Sequence, residues 1–168
     1  MSLYEASVPQ FTKMLGNLDT WLEKGAEFAK KKGFDQSVLL SSRLAPDQYP
    51  LTRQIQSACD SAKFPVARLT AKEAPKHPDT EQTVEELRRR IALCREYLAT
   101  VSAADFKGAE EREIALPFLE GKLIRGRDYL NEMALPNFYF HITTAYAILR
   151  NLGVDLGKMD YIGSLTFK

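Results

Sequence analysis

The chain has 168 residues, 45% of them hydrophobic and 27% charged. That size suits one domain with its own core, taken here as residues 1–168, and the composition excludes a largely disordered chain. With 23 Lys and Arg against 22 Asp and Glu the net charge is +1, so no general attraction to nucleic acid or an anionic membrane is expected.

In chain order, the first helix is predicted over Leu3 to Lys32, where Phe11, Leu15, Leu18, Leu22, Gly25 and Ala29 recur in steps of four and three. Pro9 belongs in a first turn, so the regular helix is expected to begin there. Lys30 to Lys32 followed by Gly33 marks its end. Residues 34–49 read as a connection with an apolar Val38-Leu39-Leu40 patch. A second helix follows from Pro50, carrying Leu51, Ile55, Ala58 or Cys59, Ala62 and Leu69, with a kink at Pro65.

Residues 71–79 read as a Pro-containing loop, and Asp79 with Gln82 resembles a capping box. The third helix carries Val84, Leu87, Ile91, Cys94, Leu98 and Val101. Its charged face, Glu85, Glu86, Arg88, Arg89 and Arg90, reads as solvated. Ile114, Leu116 and Phe118 alternate, Glu120-Gly121 is a turn signal, and Leu123-Ile124 follow, which predicts a short β-hairpin. A fourth helix is predicted from Pro136, with Phe138, Ile142, Ala145, Leu149 and Leu152 on one stripe and Gly153 at its end. The tail reads as extended, packed by Tyr161, Ile162 and Phe167. The fold class expected is therefore mainly all-α: a four-helix bundle with a hairpin between helices three and four.

Cys59 and Cys94 lie within apolar patterns without a paired spacing, and Met1 to Glu5 lacks the start of a signal peptide. Both point to a reducing, cytoplasmic setting. The uncharged run from Met133 to Leu149 is too short for a membrane span and is interrupted by Asn137, His141, Thr143 and Thr144.

Motifs for phosphate loops, nucleophile elbows and metal-binding cysteine or histidine pairs are absent from the sequence. His77 sits in a polar loop and reads as exposed. His141 sits beside the apolar stripe of the last helix, where an imidazole needs hydrogen-bond partners or a pocket. On the second helix Arg53, Gln56, Asp60 and Lys63 share one polar face, of which Asp60 lies nearest the apolar stripe. An Asp60–His141 hydrogen bond across the two helices would fix the imidazole tautomer. The candidate ligand-binding set is His141, Asp60, Gln56, Asn137, Arg53 and Tyr146. No catalytic residue, metal ligand or cofactor is assigned.

The stretch PNFYFHITTAYAILR (136–150), the block LAPDQYPL (44–51) followed by Gln54, Gln56 and Asp60, and GKMDY (157–161) resemble a bacterial domain-of-unknown-function family grouped with the DinB-like, or YfiT-like, metalloenzymes. The resemblance implies an up-down-down-up four-helix bundle, often a homodimer. In better-known members three histidines bind zinc or nickel, one from helix two and an H-x-x-x-H pair from the last helix, and several act as thiol-dependent transferases or isomerases. Here Ala145 stands four residues after His141, and helix two offers Gln54, Gln56 or Asp60, so the metal triad is incomplete. Three readings follow: a bundle binding a small molecule in an interhelical pocket near His141, a degenerate scaffold acting as a dimeric interaction module, and a metal-dependent hydrolase or thiol transferase.

Overall fold

Polar caps decide where most helices of this chain begin. In the computed structural model, which describes residues 1–167, helix α1 (Leu3–Lys32) starts at Ser2. The Ser2 hydroxyl accepts the Glu5 N–H at 3.2 Å, and the Glu5 carboxylate accepts the Ser2 N–H at 2.8 Å. Pro9 therefore lies inside α1 and does not open it: the reciprocal cap nucleates the helix upstream, and the proline removes only one backbone bond. Gly33 ends α1 at φ 77°, a left-handed conformation that suits glycine.

Between the first two long helices a short helix, α2 (Gln36–Ser41), forms where only a connection was expected. The Asp35 carboxylate caps it by accepting the Ser37 N–H at 2.8 Å, and Leu39 and Leu40 are buried beneath it. Helix α3 (Leu51–Thr70) runs through Pro65 without breaking. Helix α4 (Val84–Ala99) is capped by Thr83 and Glu86. The box expected at Asp79 and Gln82 is not formed, because Asp79 is drawn instead to Arg53 and Arg90.

The hairpin is present: β1 (Glu113–Ala115) pairs antiparallel with β2 (Leu123–Arg125), Ile114 opposite Ile124. The last long helix begins at Gly126, well before the expected Pro136, as α5 (Gly126–Asp128). It passes through a π-helical turn at Tyr129–Ala134 into α6 (Leu135–Asn151). Pro136 explains the turn: it has no N–H for the Glu132 carbonyl, and its ring crowds that carbonyl. Gly153 ends α6 at φ 94°.

The tail departs from the extended expectation. Residues Lys158–Ile162 form α7, whose Asp160 carboxylate accepts the Gly157 N–H at 2.7 Å and pairs with Lys24 at 2.6 Å. Tyr161 stacks on Trp21 at 5.6 Å, whereas Phe167 is 85% exposed.

Cross-helix partners give the connectivity. Arg88 near the start of α4 pairs with Asp19, while Leu98 at its end borders a surface cleft with Tyr4, so α4 is antiparallel to α1. Phe11 meets Phe138 at 4.6 Å and Trp21 meets Tyr146 at 5.4 Å, so α6 is parallel to α1. Gln54 faces His141 and Arg68 faces Tyr129, so α6 is antiparallel to α3. This is the up-down-down-up arrangement, closed in the cyclic order α1, α4, α3, α6. Phe11, Leu15, Leu18, Trp21, Ile55, Leu87, Phe138 and Ile142 fill its interior. No helix is long and apolar enough to cross a membrane among the described residues.

Candidate functional site

One cavity of about 330 Å³ opens between α3 and the α5–α6 helix, with Leu116, Pro117 and Phe118 of the hairpin segment along one side. Four of the six candidate residues line it: Arg53, Asp60, Asn137 and His141. Gln56 and Tyr146 do not. The Gln56 amide donates to Glu81 at 2.9 Å on another side of α3, and Tyr146 packs against Trp21 and Tyr161.

His141 is 8% exposed, and its Nδ1 lies 2.7 Å from the Gln54 Oε1. The Gln54 amide nitrogen donates to the Tyr49 carbonyl at 3.2 Å, which orients the amide with its oxygen toward the ring. A carbonyl oxygen only accepts, so Nδ1 carries the proton and Nε2 is left with a free lone pair. Burial, with a smaller contribution from the positive Arg53, holds the imidazole below its ordinary value of 6.5, so it is neutral near pH 7. Nε2 has no protein partner among the described residues, and the ring lines the cavity. The expected Asp60–His141 bond is thus replaced by Gln54–His141. Asp60 lies farther along α3 and spends its Oδ1 on Lys63 and Arg90, both at 2.9 Å.

Beyond His141 the wall is polar at intervals. Asn137 donates from Nδ2 to the Ser61 hydroxyl at 2.7 Å. Pro65, also in the wall, deprives the Ser61 carbonyl of its i+4 donor. At the far end Arg68 donates to the Tyr129 hydroxyl at 2.9 Å.

The polar face of α3 is held in side-chain contacts. Arg53 pairs with Asp79, Gln56 bonds Glu81, and Lys63 lies 3.2 Å from the His77 Nδ1. Arg90 of α4, expected on a solvated face, is 2% exposed and reaches Asp60, Asp79 and Glu81. His77, expected to be exposed, is half-buried here. Burial first, then Lys63 and Arg90, lower its pKa, with Asp60 and Glu81 opposing. This network backs the cavity through Asp60.

The Gln54–His141 contact and the places of Ser61, Arg68 and Tyr129 on the cavity are not among the expectations from spacing. A signal existed for Arg68: positions 53, 57, 60, 61, 64 and 68 follow the three-four spacing of one helix face. Tyr129 had none, since it lies in the π-helical turn.

The metal set implied by the resemblance does not fit. Ala145 stands four residues after His141, α3 offers Gln54, Gln56 or Asp60 in place of a histidine, and no three His, Cys, Asp or Glu side chains are grouped so that they could hold a metal ion among the described residues. Cys59 and Cys94 are buried, and their mutual contact and burial push the Cys59 thiol well above its ordinary value. Neither thiol reaches the cavity.

The pattern of a family described as a domain of unknown function, DUF1993, matches residues 3–162. No curated protein matches the chain. A crystal structure described as a DinB family member from Shewanella denitrificans is 51% identical, with a TM-score of 0.96, over 99% of this chain and 94% of that one.

Proposed function

Because the chain belongs to the DUF1993 family of DinB-like helical bundles, we propose that it binds a small molecule in the cavity beside His141. The reading is carried by one observation: the Tyr49 carbonyl, Gln54 and His141 form a chain of hydrogen bonds that presents a neutral imidazole lone pair to the cavity. Such a group accepts a hydrogen bond from a ligand hydroxyl or N–H. It can also take that proton, provided the ligand sits within hydrogen-bond reach. Clefts between bundle helices, largely apolar with a few converging polar groups, are usual ligand sites.

The test is a thermal-shift screen of metabolites on the wild-type chain and on His141→Ala. A ligand that raises the wild-type midpoint should leave His141→Ala unmoved, while circular dichroism shows the variant as helical as its parent. Stabilisation of both chains to the same extent by every hit would overturn the reading.

A further inference from the structure

Arg68 differs from the other arginine of the cavity. Arg53 is paired with Asp79, and Asp60, the one acidic residue in the wall, is held by Lys63 and Arg90. Arg68 has no carboxylate partner among the described residues. Its guanidinium is nonetheless fixed: one nitrogen donates to the Tyr129 hydroxyl at 2.9 Å, and its central carbon lies 5.6 Å from the centre of the Phe64 ring and 5.9 Å from that of the Tyr129 ring. The remaining guanidinium donors have no protein acceptor among the described residues. Tyr129 is 2% exposed, its hydroxyl proton likewise has no acceptor there, and burial raises its pKa, so the proton stays. Two fixed donors with unused hydrogens, one of them charged, therefore face one end of the cavity.

The other end is His141, which accepts. Gln54 and Arg68 stand about 21 Å apart along the α3 axis at 1.5 Å per residue, so the two ends are well separated. Between them Phe64, Met133, Leu116 and Phe118 supply apolar wall, and Ser57, Asp60, Ser61 and Asn137 supply its polar groups.

We propose that the cavity takes an elongated, singly charged carboxylate: its carboxylate on Arg68 and Tyr129, its apolar body along the hairpin side, and a hydroxyl or N–H at its other end donating to His141 Nε2. A carboxylate matches the single unneutralised cation of the wall, which one guanidinium can engage through two parallel hydrogen bonds. This inference rests on the pocket reading above and adds the ligand's charge, its place and the ligand's length.

The experiment is calorimetric titration with ω-hydroxyoctanoate, ω-hydroxydodecanoate and ω-hydroxyhexadecanoate, and with the α,ω-diols of matching length, on the wild type, Arg68→Gln, Tyr129→Phe and His141→Ala. The hydroxy acids should bind best at one chain length, and the diols about tenfold or more weaker. Arg68→Gln should remove that preference for the acids, Tyr129→Phe should reduce it, and His141→Ala should weaken acids and diols alike. Equal binding of acids and diols, unchanged in Arg68→Gln but lost in His141→Ala, would overturn the carboxylate site and leave the pocket reading standing. Binding of neither series would also overturn it. The pocket reading itself falls only if every ligand from the metabolite screen ignores His141→Ala. Arg68→Lys controls for folding: it keeps the charge without the planar fork and should fall between wild type and Arg68→Gln.

Discussion

Replacing Arg90 with alanine should cost the fold about 3–5 kcal/mol, the usual range when one partner of a buried ion pair is removed. Arg90 is 2% exposed and reaches Asp60 at 2.9 Å, Asp79 at 3.0 Å and Glu81 at 3.1 Å. It ties α4 to α3 and to the 77–81 segment at once, since it also donates to the Pro78 carbonyl. Its removal leaves Glu81, itself largely buried, short of a cation, and leaves Asp60 with Lys63 alone. Urea unfolding followed by circular dichroism should show a large drop in midpoint with little change in slope. The double variant Arg90→Met with Asp60→Asn should lose clearly less than the sum of its single variants, because the charges left uncompensated by each change are removed together. A loss under about 1 kcal/mol for Arg90→Ala would show that the cluster is open to water, as in an ordinary surface pair.

Gly126→Ala should be the most damaging single-methyl addition. A Cβ at that position would stand 1.9 Å from the Ala109 carbonyl oxygen and 2.9 Å from the Leu69 side chain. Neither neighbour can retreat freely. The Gly126 N–H donates to the Arg112 carbonyl at 2.8 Å and the Arg127 N–H to the Glu110 carbonyl at 3.1 Å, so the 109–112 segment is stitched to the start of α5. Overpacking typically costs about 1–3 kcal/mol, and this contact with a backbone oxygen belongs at or above the top of that range. Because Tyr129 follows within one turn, the variant should also disturb the cavity's far end. A thermal unfolding midpoint within a degree of the wild type would contradict the close approach. Gly25→Ala, whose Cβ would meet the flexible end of the Leu149 side chain at 3.2 Å, is the milder comparison.

The long elements of the fold are legible in the sequence because each carries an apolar stripe that one face of a helix must bury. Phe11 to Ala29, Leu51 to Leu69, Val84 to Leu98 and Phe138 to Leu149 all mark buried faces. The hairpin is legible because Ile114 and Ile124 flank a turn signal. The short helices α2 and α7 are not, since each depends on one carboxylate, Asp35 or Asp160, capping a helix too brief to show a period. The π-helical turn is hidden because it expresses a local conflict around Pro136 and no periodicity at all.

Within the site, His141 and Asn137 stand out as polar residues in the most apolar helix, and the structure places both on the cavity. The partner of His141 is harder to read. Asp60 and Gln54 both lie on α3, and only the register of α3 against α6 decides which meets the ring. Arg90 is hidden for a different reason. A run of three arginines reads as solvent-facing, and only the carboxylates of a distant loop make burial of one of them tolerable.

The most direct test of the account is nitrogen-15 NMR of the His141 ring with the intact chain. At neutral pH the imidazole should be neutral, with a protonated, pyrrole-like Nδ1 and an unprotonated, pyridine-like Nε2, the state that Gln54 imposes. Its titration should lie below 6.5. The unfolded chain then takes the proton first, so the stability owed to the neutral ring is complete above that pH and is lost as the pH falls below it. A proton on Nε2, or an imidazolium at neutral pH, would contradict the account, because the cavity would then face a donor in place of a free lone pair.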